Sequence, residues 1–153
     1  MESNPNFSAV LDEDLFVVRW HAATVPSVEQ LTARLESRRA ELGRSLYYIA
    51  LISADTPQPD EQTRSTMLES IDKTYPSMSK IRAVILGTGF KATFVRSTMT
   101  AMTLIAGMRG QHVKVEKTAR QAIEHYAQHS GRSAQLVLER LVREGILSGD
   151  ELG

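Results

Sequence analysis

The chain predicts a single small α/β domain: a mostly parallel sheet with helices packed on it and an antiparallel strand supplied by an N-terminal hairpin. Three observations carry this. Nearly continuous apolar runs, Tyr47-Tyr48-Ile49-Ala50-Leu51-Ile52-Ser53 and Ile81-Arg82-Ala83-Val84-Ile85-Leu86, have the pattern of strands buried on both faces. Segments with helical period alternate with those runs, which implies βαβ crossovers. The length of 153 residues, 42% of them hydrophobic, suits one core and not two.

The elements follow in order. Phe7–Leu11 and Leu15–Trp20 form the two arms of a hairpin, with Asp12-Glu13-Asp14 as a hydrophilic turn. Pro26-Ser27 opens the first helix. Ser27 is the expected N-cap, and Gln30 three residues on completes a capping box. Leu31, Leu35 and Leu42 make its apolar stripe, and Gly43 ends it. The strand over residues 47–53 leads through a loop with two prolines to a helix over Thr66–Tyr75, with Met67, Leu68 and Ile71 inward and Pro76 as the stop. After the strand 81–86 come Gly87-Thr88-Gly89 and a methionine-rich helix over Phe90–Met108 that ends at Gly110. His112–Val115 is the last strand. Thr118 caps a helix containing Ala122, Ile123 and Tyr126, and Gly131 breaks it. Ser133 starts a final amphipathic helix over Gln135–Glu144, with Leu136, Val137, Leu141 and Ile146 on its apolar face. Residues 1–130 thus form the α/β domain and 131–153 an added helix and tail.

Composition narrows the function. Eighteen basic residues balance eighteen acidic ones, without the basic surplus that phosphate neutralisation asks of a nucleic-acid binder. No cysteine is present, which removes disulfides, thiolate nucleophiles and cysteine-ligated metals. That fits a reducing compartment, and the N-terminal residues have no signal-peptide pattern, so a cytoplasmic location is expected. The apolar-rich stretch from Phe94 to Met108 is short and broken by Arg96 and several threonines, so membrane insertion is not expected.

Several motifs invite chemistry. Gly87-Thr88-Gly89-Phe90-Lys91-Ala92 has the G-x-G-x-x-A form of a dinucleotide-binding corner between a strand and a helix, with Lys91 and Arg96 as possible charge and Glu116 where a ribose-binding acid could stand. The fingerprint normally opens a larger domain, and here only one strand remains after it. Glycine also needs no ligand to explain a tight corner. His125 and His129 share a helix face, but no third ligand accompanies them, so a solvated face is expected and no metal. The carboxylates of residues 12–14 and 59–61 have the look of solvated turns, unsuited to acid–base work at neutral pH. No G-x-S-x-G elbow is present. Catalytic residues and cofactors are therefore expected to be none.

The element order over roughly Phe7–Gln128 resembles the STAS family, the sulphate-transporter and anti-sigma-factor-antagonist domain. "GTGFKATFVRSTMTAMTLI" and "EKTARQAIEHY" are similar to segments of stand-alone bacterial, SpoIIAA-like members. The resemblance implies a non-enzymatic regulatory or scaffolding domain that binds another protein. It also implies a phosphoacceptor hydroxyl in an Asp-Ser or Asp-Thr pair between the third strand and the second helix. The pair at that place here is Asp55-Thr56, followed by Pro57 where the family has a glycine shortly afterwards. The structural alternative is that Asp55 or Thr56 caps the loop or helix. Asp55, Thr56 and Arg64, with Gly87, Thr88, Gly89 and Lys91, form the expected interaction surface. The alternative function is a small-molecule or nucleotide-binding domain using the Gly87–Gly89 loop. An apolar face on the last helix would be covered either by the sheet or by a second copy, and a homodimer is the expectation.

Overall fold

The computed structural model describes residues 2–87, 92 and 113–153. Six strands form one sheet in the order β1-β2-β3-β4-β5-β6: Glu2–Ser3, Phe7–Asp12, Leu15–Trp20, Leu46–Ser53, Met78–Leu86 and Val113–Glu116. The first three are antiparallel neighbours, and β3 to β6 are parallel. Helices α1 (Val25–Leu42) and α2 (Glu61–Thr74) carry the β3–β4 and β4–β5 crossovers; α3 (Ala119–Ser130) and α4 (Ala134–Arg143) follow the last strand. The α/β class and the hairpin are as the sequence predicts.

Strand alternation divides the core into two clusters. Val17, Tyr47, Ile49, Leu51, Val84 and Leu86 meet Ala122, Ile123 and Tyr126 of α3 and Val137, Leu138 and Leu141 of α4. On the opposite face Phe16, Val18, Trp20, Leu46, Ala50 and Ile81 meet Val28, Leu31 and Leu35 of α1. Among the described residues the sheet lies between α1 and α2 on one face and α3 and α4 on the other. Among the described residues no helix is long and apolar enough to cross a membrane.

Several boundaries differ from expectation. The N-cap of α1 is Thr24, and Ser27 is the third helical residue. The Ser27 N–H donates to Thr24 Oγ1 at 3.2 Å and the Thr24 N–H donates to Ser27 Oγ at 2.8 Å, so the box is a Thr–Ser pair and not Ser27 with Gln30. Pro26, in the first turn, costs no hydrogen bond because the N–H it lacks has no partner there anyway. Helix α2 begins at Glu61, five residues before the expected Thr66, because Asp60 accepts the Thr63 N–H at 2.7 Å. Leu68 is exposed rather than inward, while Met67 and Ile71 are partly buried. Gly43 and Gly131 end α1 and α3 at φ 74° and 76°, the left-handed conformation that favours glycine.

The C-terminal segment is tied down at both ends of β2 and β3. Asp12 meets Arg132 at 2.8 Å and Arg140 at 3.0 Å, and the Tyr126 hydroxyl donates to Asp14 at 2.7 Å. The acidic turn is therefore an anchor and not a solvated loop. Arg19 on β3 holds Glu151 with paired bonds of 2.7 and 2.9 Å. Leu152 reaches back so that its carbonyl accepts the Arg120 N–H in the first turn of α3. Val137, Leu138 and Leu141 are buried within the chain, whereas Leu136 is 67% exposed. The apolar face of the last helix is covered by this chain's own sheet and α3, and Leu136 does not belong to it.

Candidate functional site: the carboxyl edge of β4 and β5

Strands β4 and β5 are parallel neighbours, and Ser53 stands in register with Leu86. The chain therefore leaves both strands side by side, and the loop from Ala54 to Asp60 emerges beside Gly87. The carboxyl ends of parallel strands are where ligands of α/β sheets collect. Gly87 has φ +99°, and a Cβ built on it meets nothing within 4 Å. The positive φ of the corner alone accounts for glycine at this position.

In the loop, the Thr56 N–H donates to the Ser53 carbonyl at 3.0 Å and closes a turn. Its hydroxyl stands 3.5 Å from the Trp20 carbonyl, at the limit of a hydrogen bond, and the residue is half-buried. Asp55 is exposed, and its N–H donates to Ser53 Oγ at 3.3 Å. The cap of α2 is neither of these but Asp60. Hydrogen bonds from Thr63 hold the Asp60 carboxyl below the usual carboxylate range, with the Arg64 charge adding to the effect. Thr56 and Arg64 line one cleft beneath α2. The structure thus brings Asp55, Thr56, Arg64 and Gly87 to one edge; Thr88, Gly89, Lys91 and His112 lie outside the described residues, as does the helix expected over 90–108 apart from Ala92.

The cleft itself is the feature that motif reading passes over. Its volume is about 230 Å³, and its walls include Trp20, Tyr48, Ile52, Met67, Ile71 and Ile81. Its floor contains Ala50 and Ala83, which are register partners on β4 and β5. Two alanines side by side, between the larger pairs Tyr48–Ile81 and Ile52–Ile85 on the same face, leave the sheet surface low at that point. The sequence signal is those two small residues at matching positions of the two apolar runs. Burial raises the Tyr48 hydroxyl to about 12, against a hydrogen bond from Trp20 that pulls the other way. Tyr48 is therefore a neutral phenol throughout the physiological range.

On the other face of the sheet His125 joins a polar cluster, while His129 stays exposed as spacing predicts. Glu116, 2% exposed, lies 2.8 Å from His125 Nδ1 and 3.5 Å from Arg82 Nε. Arg82 Nη1 also donates to the Ile81 carbonyl at 3.0 Å. The His129 ring packs 5.4 Å from that of Tyr47, which sits edge-on to Tyr126 at 5.0 Å. Burial pushes the Tyr47 hydroxyl above the usual phenol range, with the Glu116 charge adding to it and Arg82 opposing. Glu116 is thus held by partners within the chain. Among the described residues no three histidine or carboxylate side chains are grouped to hold a metal.

The chain matches no protein-family model and no curated protein sequence.

Proposed function

We propose that this chain is a non-enzymatic, STAS-like regulatory or scaffolding domain that acts by binding a protein partner, with Asp55–Arg64 and the Gly87 corner as its working surface. The observation that supports the reading is the register of Ser53 with Leu86, which sets both loops on one edge. The cysteine-free composition fits the cytoplasmic location that belongs to the same proposal. Thr56 is the phosphoacceptor in this reading. Its hydroxyl is half-exposed and weakly held, and it shares a cleft with Arg64. A phosphate there brings a charge of about −1.5 to −2, which Arg64 complements. Asp60 already caps α2, so the helix N-terminus is not the receptor for that phosphate. The homodimer takes this edge too, because the apolar face of α4 is spent inside the chain.

Proximity capture in cells tests the proposal, comparing wild type with Arg64→Glu, Thr56→Asp, Thr56→Ala and the opposite-face control Leu136→Lys. A partner lost in Arg64→Glu and Thr56→Asp but kept in Thr56→Ala and Leu136→Lys supports it. Equal capture by all five proteins overturns the surface, and equal capture by the two Thr56 variants overturns the switch.

A further inference from the structure

We propose that the cleft beneath α2 is a binding site for a small monocarboxylate with an apolar body, of the class of a medium-chain fatty acid or an arylalkanoate. This does not depend on the protein-partner reading.

The volume comes first. A cavity of about 150 Å³ lined by aliphatic and aromatic groups is enough to take up benzene. The cleft is larger, at about 230 Å³, and is open on one side. It therefore has room for a single ring with a side arm or for a folded acyl chain, and not for a nucleotide. Among the described residues its walls are apolar apart from Gln58, two arginines and a few hydroxyls. Those of Thr32 and Thr74 are already engaged, with the Val28 and Ser70 carbonyls at 2.8 and 2.7 Å.

Charge comes second. Among the described residues lining the cleft, none is acidic and two are arginines, Arg64 and Arg82. The Arg82 guanidinium is directed to Glu116 and the Ile81 carbonyl. Arg64, half-buried in the first turn of α2, is the described cation that a ligand carboxylate can meet, since the N-terminus of α2 is already capped by Asp60. Among the described residues, an apolar slot with Arg64 as its available cation selects an amphipathic anion over a neutral or cationic molecule of the same length.

The shape has an identifiable cause. Ala50 and Ala83 stand side by side at the floor, 8% and 9% exposed. A leucine at either position occupies the space a ligand needs.

Trp20 is the chain's single tryptophan and lies in the cleft wall, so its fluorescence reports occupancy without a label. Purified protein is titrated with octanoate, octanol and octylamine, with calorimetry as a second readout. Saturable binding is expected, in the order octanoate, then octanol, then octylamine. Arg64→Gln weakens octanoate about tenfold and octanol less than twofold, the size of one charged hydrogen bond. Ala83→Leu abolishes binding of both while retaining the wild-type circular dichroism; if it does not fold, Ala50→Val gives the milder version of the same block. No saturable response from wild type overturns the site. Octylamine binding as tightly as octanoate, or unchanged octanoate binding in a folded Ala83→Leu or Ala50→Val protein, overturns the assignment of charge or of place.

Discussion

Replacing Glu116 by glutamine should be among the most costly single changes in this chain, although no motif marks the residue. Glu116 is 2% exposed at its side chain and its partner Arg82 10%, whereas His125 is 35% exposed. The amide keeps the shape and removes the carboxylate charge beside the buried Arg82 guanidinium. Breaking a buried ion pair from one side costs about 3–5 kcal/mol, because the surviving charge keeps its desolvation penalty. The Arg82 bond to the Ile81 carbonyl softens this, so the lower end, about 3 kcal/mol, is expected for Glu116→Gln. His125→Asn breaks a bond that water partly reaches and should cost about 1 kcal/mol. Total stability for a domain of this kind is about 5–15 kcal/mol, so both variants should still fold. Urea unfolding at pH 7, followed by far-ultraviolet circular dichroism, measures the losses, with an unchanged m-value showing that the same surface unfolds. Arg82→Met added to Glu116→Gln should recover about 2 kcal/mol of the sum of the two single losses. A loss below about 1 kcal/mol for Glu116→Gln, or strict additivity in the double variant, would refute the reasoning.

Two further predictions concern how the C-terminal helices are held. Burial alone would raise the Asp12 carboxyl, but hydrogen bonds and charge from Arg132 and Arg140 outweigh it and hold it below the usual range. The Arg19 bonds likewise lower Glu151, against burial. Lowered carboxylates contribute stability that is full above the unfolded-state value of about 4 and is lost as pH falls through the folded-state value. Stability should therefore decline on acidification from about pH 5 downward, and Asp12→Asn together with Glu151→Gln should flatten that decline in a urea series across pH. A slope unchanged in the double variant would show that other groups govern the acid limb. Separately, Leu141→Ala should cost about 2–5 kcal/mol by opening a cavity between α4 and the sheet. Leu136→Lys, on the exposed side of the same helix, should stay within about 0.5 kcal/mol by thermal unfolding. Equal losses at the two positions would mean that α4 is rotated from the orientation described.

The sequence by itself determined the class of fold, because strand and helix periodicity are local properties. The apolar runs over 47–53 and 81–86 carry no polar face, and that pattern suits a strand covered on both sides. Gly43, Thr118, Gly131 and Ser133 mark helix ends through their own backbone and hydroxyl chemistry, and all four are where the pattern puts them. The placement of Asp55, Thr56, Arg64 and Gly87 on one edge follows from strand alternation plus the parallel rule, so that much of the candidate surface was legible too.

Only the tertiary structure decided what depends on partners distant in sequence. Asp12 and Asp14 belong to a turn by local pattern, but Arg132, Arg140 and Tyr126 arrive from more than 100 residues away and turn them into anchors. Glu116 and His125 follow the same logic: spacing shows that two histidines share a side, not that one of them meets a buried carboxylate. The cleft required register, since Ala50 and Ala83 mean little until β4 and β5 pair them. Periodicity is written within a few residues of the chain, whereas burial and charge pairing are properties of surfaces that exist only after the chain has closed on itself.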